Sequence, residues 1–262
     1  MTPAVVPRAL KAGLVGLSAF DGVAARDAVQ ADGVEAVEIH RPALAQSGYV
    51  ELVSELLAAP RFMCDFSQNP SERALPQLCL RLLGHSGHPG QLERLLSDLV
   101  AVERFARQLG GERVLVSIRN WFAPGDLVWH VDRSSRAAAF RVLWPLGRSE
   151  GMRVTPFDNI EPVLYAAFMR REHPILCRLD REIASTSKPL EVLWRHRPAQ
   201  VDAMIAGNYP YMRDPALVAA MHPDAISVHR IATPRMRGTF HRSAWANRHT
   251  PGLQIIVTST SL

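Results

Sequence analysis

The chain has 262 residues, enough for one large domain or two small ones with a real core, and its 47% apolar and 21% charged residues are ordinary for a folded globular protein. The net charge of +5 comes from dispersed arginines with no helix-turn-helix, finger or RNP pattern among them, which disfavours nucleic-acid binding and leaves small, including anionic, substrates as the expected partners. Three scattered cysteines, Cys64, Cys79 and Cys177, exclude a disulfide framework or a cysteine zinc site and read as buried free thiols of a reducing compartment.

Along the chain, Arg8 and Lys11 followed by the apolar stretch 12–20 loosely imitate an export signal. Asp21 and the shortness of the run argue against one, and no run approaches the ~20 apolar residues of a membrane span, so a cytoplasmic protein is expected. Residues 1–111 read as mainly helical. The segment 49–59 (YVELVSELLAA) has helical spacing and ends at Pro60, 75–83 is a second candidate, and 91–109 (QLERLLSDLVAVERFARQL) carries a clear stripe stopped by Gly110 and Gly111.

Beyond Gly111 the texture changes. Residues 112–122, 127–132 and 137–146 are β-branched and aromatic, with a Pro-Gly turn at 123–126. Residues 157–224 look helical with breaks at Pro174, Pro189, Pro198, Pro210 and Pro215. Strand character returns at 225–231, 239–242 and 253–260. Strands in two blocks, 112–156 and 225–262, imply a single α+β domain with a jelly-roll core. The N-terminal helical part packs on it, and 157–224 forms a helical insertion or lid, with Tyr209 and Tyr211 as candidate lid residues.

The chemistry-bearing motif is Trp129-His130-Val131-Asp132. On a strand, residues i and i+2 share a face, so His130 and Asp132 can reach one metal ion. His241, on a late short strand after Gly238, is the preferred third ligand, with His229 as the alternative. Two imidazoles and one carboxylate on one face leave positions open for O2 and a substrate, as in non-haem iron(II) oxygenases. Trp121, Trp129, Phe140 and Trp144 around the motif read as core packing.

Residues 118–132 (IRNWFAPGDLVWHVD) resemble the strand, Pro-Gly turn, strand and His-x-Asp segment of iron(II)/2-oxoglutarate dioxygenases, and 239–242 (TFHR) resembles their distal His-Arg segment. More narrowly, residues 110–156 resemble an uncharacterised bacterial family with a Phe-His-Val-Asp core followed by an Arg-Leu strand. Here these read Trp-His-Val-Asp and Arg141-Val142-Leu143. The resemblance implies a double-stranded β-helix, catalytic iron(II) on His130, Asp132 and His241, and 2-oxoglutarate as cosubstrate. One departure bears on the cosubstrate. The family's final-strand arginine, which pairs with the cosubstrate carboxylate, is replaced by Gln254, which cannot supply the charge. Arg141, Arg242 and Arg248 are the alternative cations. Asn120 matches a cosubstrate-contacting Asn of the nucleic-acid demethylase branch, although Phe122 stands where that branch has Tyr. The alternatives are an iron oxygenase or oxidase independent of 2-oxoglutarate and a non-catalytic zinc protein on the same fold.

Overall fold

The computed structural model describes residues 8–11, 13–40, 48–59, 62–67, 87–111, 113–120, 126, 128–136, 139–147, 151–186, 188–206, 208–243 and 253–260. In chain order the elements are β1 (Arg8–Lys11), β2 (Leu14–Leu17), α1 (Gly22–Gln30), β3 (Ala36–His40), α2 (Val50–Ala58), β4 (Met63–Ser67), α3 (Pro89–Gln108), β5 (Arg113–Arg119) and β6 (Ala139–Leu146). They continue with β7 (Arg153–Thr155), α4 (Pro162–Ala184), α5 (Pro189–His196), α6 (Pro198–Ile205), β8 (Ala219–Ala220), β9 (Ala225–Arg230), β10 (Phe240–Arg242) and β11 (Leu253–Thr260).

Eight strands form a large sheet in the order β1-β2-β3-β9-β6-β11-β5-β4, and three form a small one, β10-β7-β8. From β5 onward the chain alternates between the two. β5, β6, β9 and β11 lie in the large sheet, and β7, β8 and β10 in the small one. Segment 128–132 joins the edge of the small sheet through a bridge between His130 and His241.

Period-2 alternation gives the large sheet two distinct faces. Val114, Val116 and Ile118 of β5, Phe140, Val142 and Trp144 of β6, Ile226 and Val228 of β9, and Leu253, Ile255 and Val257 of β11 all enter one core. That core is closed by Ala25 and Val29 of α1, Leu52 and Leu56 of α2, and Leu92, Leu95, Leu99 and Val102 of α3. The opposite face turns toward the small sheet. Leu143 and Ile256 meet Met152, Val154, Ala219 and Met221 there. A third cluster, with Trp129, Phe168, Leu193, Tyr211 and Phe240, packs α4 to α6 against the outer side of the small sheet.

Several sequence expectations need correction. Residues 1–111 contribute β1 to β4 as well as helices. These strands have four or five residues each, too short for periodicity to register. The signal-like stretch contains β2, paired in parallel with β3. Pro174 does not break α4 but lies inside it, whereas Pro189 and Pro198 open α5 and α6 at their first turns. Cys177 is a free thiol but exposed. The candidate helix 75–83 falls outside the described residues, and among those described no helix is long and apolar enough to cross a membrane.

Asn120 follows β5 with the parity of Val114, Val116 and Ile118, so it faces the helices. Its Nδ2 donates to the carbonyls of Leu56 and Ala59, both at 3.1 Å, and its Oδ1 accepts from the Phe62 amide at 3.0 Å. The residue expected to contact a cosubstrate is instead a brace tying the end of α2 to the sheet. Asn120→Ala should therefore lower unfolding stability by about 1–3 kcal/mol in denaturant titration and leave metal affinity unchanged. Unchanged stability with weakened 2-oxoglutarate binding would restore the cosubstrate role.

Candidate metal centre

His130 and His241 face each other across an antiparallel pair. The His130 amide donates to the His241 carbonyl at 2.9 Å, and the His241 amide donates back at 3.0 Å. Two residues in such a pair present their side chains on one face, and Asp132, at i+2, joins them there. The imidazole of His241 is buried, and those of His130 and the carboxylate of Asp132 are largely so. One ligand atom from each of the three lies within 4.8 Å of the others, so the group can hold a metal ion. His130 Nε2 is 3.9 Å from Asp132 Oδ1, and His241 Nε2 is 3.5 Å from Oδ2.

The ring orientations fit a metal. His130 Nδ1 is 2.9 Å from the Val128 carbonyl, and His241 Nδ1 is 3.1 Å from the Thr239 carbonyl. A carbonyl only accepts, so each Nδ1 carries the proton and each Nε2 presents its lone pair toward Asp132.

The facing strands of the large sheet complete the surroundings. Arg141 on β6 and His229 on β9 are direct register partners. Arg141 Nη1 donates to Asp132 Oδ2 at 2.6 Å, and His229 Nε2 lies 3.6 Å from the same oxygen. His229 is fully buried, and neither of its nitrogens has a hydrogen-bond partner among the described residues. Its ring centroid is 4.3 Å from that of His241.

Burial opposes charge on Asp132. The Arg141 guanidinium and the contact with His229, with smaller contributions from His241 and His130, override it and hold the carboxyl well below the usual range. Burial pushes His241 well below the ordinary imidazole value, helped by His229 and His130, and burial also pushes His229 down. Asp132 is thus anionic and His241 neutral at pH 7, the forms in which they bind metal.

The other expected residues scatter. Arg141 is at the centre, bound to Asp132. Arg242 is not. It alternates with His241 on β10, so its side chain lies on the outer face, fully buried, with its guanidinium 6.0 Å from the Trp129 ring centroid and an Nη1 bond to the Ser243 carbonyl. Tyr209 and Tyr211 are buried in the cluster beside it rather than poised as a lid. Arg248 and Trp121 fall outside the described residues. Gln254 is buried between Leu253 and Ile255, which face the helices, so its amide points between the sheets.

There Gln254 Oε1 accepts from Arg119 Nε at 3.1 Å and Nη2 at 2.8 Å, while its Nε2 donates to Ser243 Oγ at 3.2 Å. Arg119 also pairs with Asp126. Arg119 was missed in the sequence. Parity could have found it, because Arg119 alternates with Val114, Val116 and Ile118 and so falls on the face of β5 that the helices do not cover.

A cavity of about 880 Å³ opens beside His130. Its walls come from segment 130–134, from Phe157 to Tyr165, and from turn 232–238. Buried Glu35 anchors that turn through ion pairs to Arg230 at 3.0 Å and Arg237 at 3.4 Å. Gly238 lets the turn close. A Cβ there would lie 2.5 Å from Val131 Cγ1 and 2.6 Å from the Ala232 amide nitrogen.

The two depressed imidazoles make a pH signature. Unfolded histidine titrates near ~6.5, so below that pH the unfolded chain takes up protons that folded His229 and His241 refuse, and stability falls. The contribution of Asp132, present above its unfolded value of about 3.9, is lost only in stronger acid. The metal-free protein should show a lower denaturation midpoint at pH 5.5 than at pH 7.5, with a smaller difference in the His229→Asn/His241→Asn double variant. An equal or higher midpoint at pH 5.5 would contradict neutral burial.

No protein-family model and no curated protein matches the chain. Solved structures that match the chain include the Kdo hydroxylase KdoO, a non-heme Fe(II) alphaketoglutarate dependent dioxygenase, in complex with succinate and Fe(III) (TM-score 0.43, 11% identity, 94% of this chain and 88% of that one). The same hydroxylase with cobalt(II) gives 0.44 and 10% over the same shares. AtDAO1, dioxygenase for auxin oxidation 1 from Arabidopsis thaliana, bound to 2-oxoglutarate, gives 0.41 and 11% over 91% of this chain and 86% of that one.

Proposed function

We propose that this protein is a non-haem iron(II) oxygenase that uses 2-oxoglutarate and O2 to oxidise a small molecule, on a double-stranded β-helix. The observation that carries the proposal is the convergence of two imidazoles, each with Nδ1 held by its own strand's carbonyl, and one anionic carboxylate. The fold assignment is supported by the alternation of the chain between two facing sheets from β5 to β11. Iron(II) held on one face by His130, Asp132 and His241 would keep positions open for O2 and a cosubstrate and supply the redox chemistry. Arg141 holds Asp132 Oδ2 and so leaves Oδ1 for the ion. Val154, the register partner of His241, joins Leu143 and Met152 in an apolar cluster between the sheets.

For the cosubstrate, Arg119 supplies the cation that Gln254 lacks. Gln254 links Arg119 to Ser243, and Ser243 shares the inner face with His241 two residues earlier, roughly 7 Å along the strand. That span suits a five-carbon dicarboxylate with its 2-oxo acid end at the metal and its far carboxylate on the guanidinium, in place of Asp126.

Anaerobic iron(II) titration with 2-oxoglutarate tests both parts. The wild type should bind one iron and develop a visible charge-transfer band. His241→Ala should lose stoichiometric iron binding, and Arg119→Gln should keep iron while losing the band at matched 2-oxoglutarate. Iron binding and O2 consumption without a band or 2-oxoglutarate turnover would mark a 2-oxoglutarate-independent oxygenase. No iron binding would defeat the proposal.

A second reading is favoured by His229, which is fully buried with Nε2 3.6 Å from Asp132 Oδ2 and makes no side-chain hydrogen bond among the described residues. If His229 joins His130, His241 and Asp132, the protein supplies four ligands, the closed set of a structural zinc site, in place of three with open positions. Pulsed EPR of the copper(II)-substituted protein decides by counting coordinated imidazoles, two for the first reading and three for the second.

A further inference from the structure

We infer that the cavity beside His130 is a binding site for an amphipathic organic anion, with its acid group on Arg133 and Arg235 and its apolar body against Phe157, Tyr165 and Phe240. This inference rests on the reading of His130 as part of the metal centre and names the substrate class that centre would serve.

Charge is the first argument. Among the described residues the lining contains Arg133, Arg235 and Arg237 and no acidic residue. Arg237 is already neutralised. Its guanidinium reaches Glu35 at 3.4 Å and Asp158 at 3.7 Å and lies 4.8 Å from the Phe157 ring centroid, so it builds the wall. Arg133 and Arg235 form no ion pair among the described residues. Two guanidiniums that line one cavity and form no ion pair among the described residues attract an anion and present several donors to it.

Their placement is the second argument. Arg133 follows Asp132 directly, and its segment is stitched to the turn carrying Arg235. The Ala232 amide donates to the Asp132 carbonyl at 2.7 Å, and the Ser134 amide donates to the Ala232 carbonyl at 2.8 Å. Within that turn the Arg235 amide donates to Thr233 Oγ1 at 3.2 Å. The backbones of both arginines are therefore fixed with respect to the metal centre.

The apolar wall is the third argument. Phe240 immediately precedes His241, and its ring packs on Phe157 and Tyr165, with centroids 5.2 Å away in each case. The Tyr165 hydroxyl is turned away to donate to the Trp129 carbonyl at 2.9 Å, so its ring rather than its polar end contributes to the wall. A volume of about 880 Å³ is that of a small-molecule pocket and not of a polymer groove. Arginines that were only solvated surface groups would show no preference for charge in a ligand that also needs an apolar wall, and that difference can be measured.

Saturation-transfer NMR on the full chain, zinc-loaded and metal-free, provides the test. The probes are phenylacetate, phenyl phosphate, the neutral isostere phenylacetamide, and acetate as an anion without the apolar body. Either phenyl anion should bind at least about ten-fold more tightly than phenylacetamide and acetate, and Arg133→Glu/Arg235→Glu should lose about that factor with zinc stoichiometry and thermal stability retained. The tighter of the two phenyl anions identifies a carboxylate or a phosphate as the acid group. Equal binding of phenylacetate and phenylacetamide, no binding by any probe, or an unaffected double variant would each overturn the inference. Anion selectivity without stoichiometric metal binding would defeat the oxygenase reading alone, whereas metal binding without selectivity would defeat the substrate class alone.

Discussion

The reciprocal backbone hydrogen bonds between His130 and His241 are the constraint on which the centre depends. They join two segments from opposite ends of the strand blocks and fix which residues face each other. Because the pair is antiparallel and in register, both imidazoles are delivered to one side without any side-chain adjustment, and Asp132 follows by alternation. A slip of one residue would send all three to the outer face, where Phe240, Arg242 and Trp129 now pack against the helical insertion. The large hydrophobic core under α1 to α3 therefore serves the site indirectly, by holding β6, β9 and β11 in the register that brings Arg141 and His229 opposite the small sheet.

The electrostatics of the site are those of a centre prepared for a cation. A carboxylate is buried among three imidazoles, two of them held neutral by burial, and is charge-balanced by one arginine. Burying a carboxylate is costly unless it is paired, and Arg141 pairs it from one side only. The Nε2 atoms of His130 and His241 stand 3.9 Å and 3.5 Å from Asp132 oxygens. Their lone pairs, set by the Nδ1 bonds to Val128 and Thr239, converge where an ion would satisfy them. The cavity and its arginines lie on the side of His130, so the same segment that supplies two ligands also supplies the cationic rim.

The parts legible in the sequence are those governed by simple periodicity. The stripe of α3 and its stop at Gly110 and Gly111 could be read to within two residues, and the same-face placement of His130 and Asp132 follows from the period of a strand. Parity should also have excluded two cosubstrate candidates. Arg242 alternates with His241, and Asn120 has the parity of the helix-facing residues of β5, so neither can turn inward. What could not be read was pairing. That β3 lies beside β9, and that Gln254 stands opposite Arg119, are long-range facts with no local signature. β3 and β4 were lost for the same reason, since they pair with β9 and β5, both distant in the chain.

Anomalous diffraction at the iron edge, on crystals grown anaerobically with iron(II), addresses the central claim most directly. One peak within bonding distance of the Nε2 atoms of His130 and His241 and of an oxygen of Asp132, with at least two positions free of protein atoms, is the result expected. A peak elsewhere, or His130 and His241 turned so that their Nδ1 atoms leave the Val128 and Thr239 carbonyls, would contradict it.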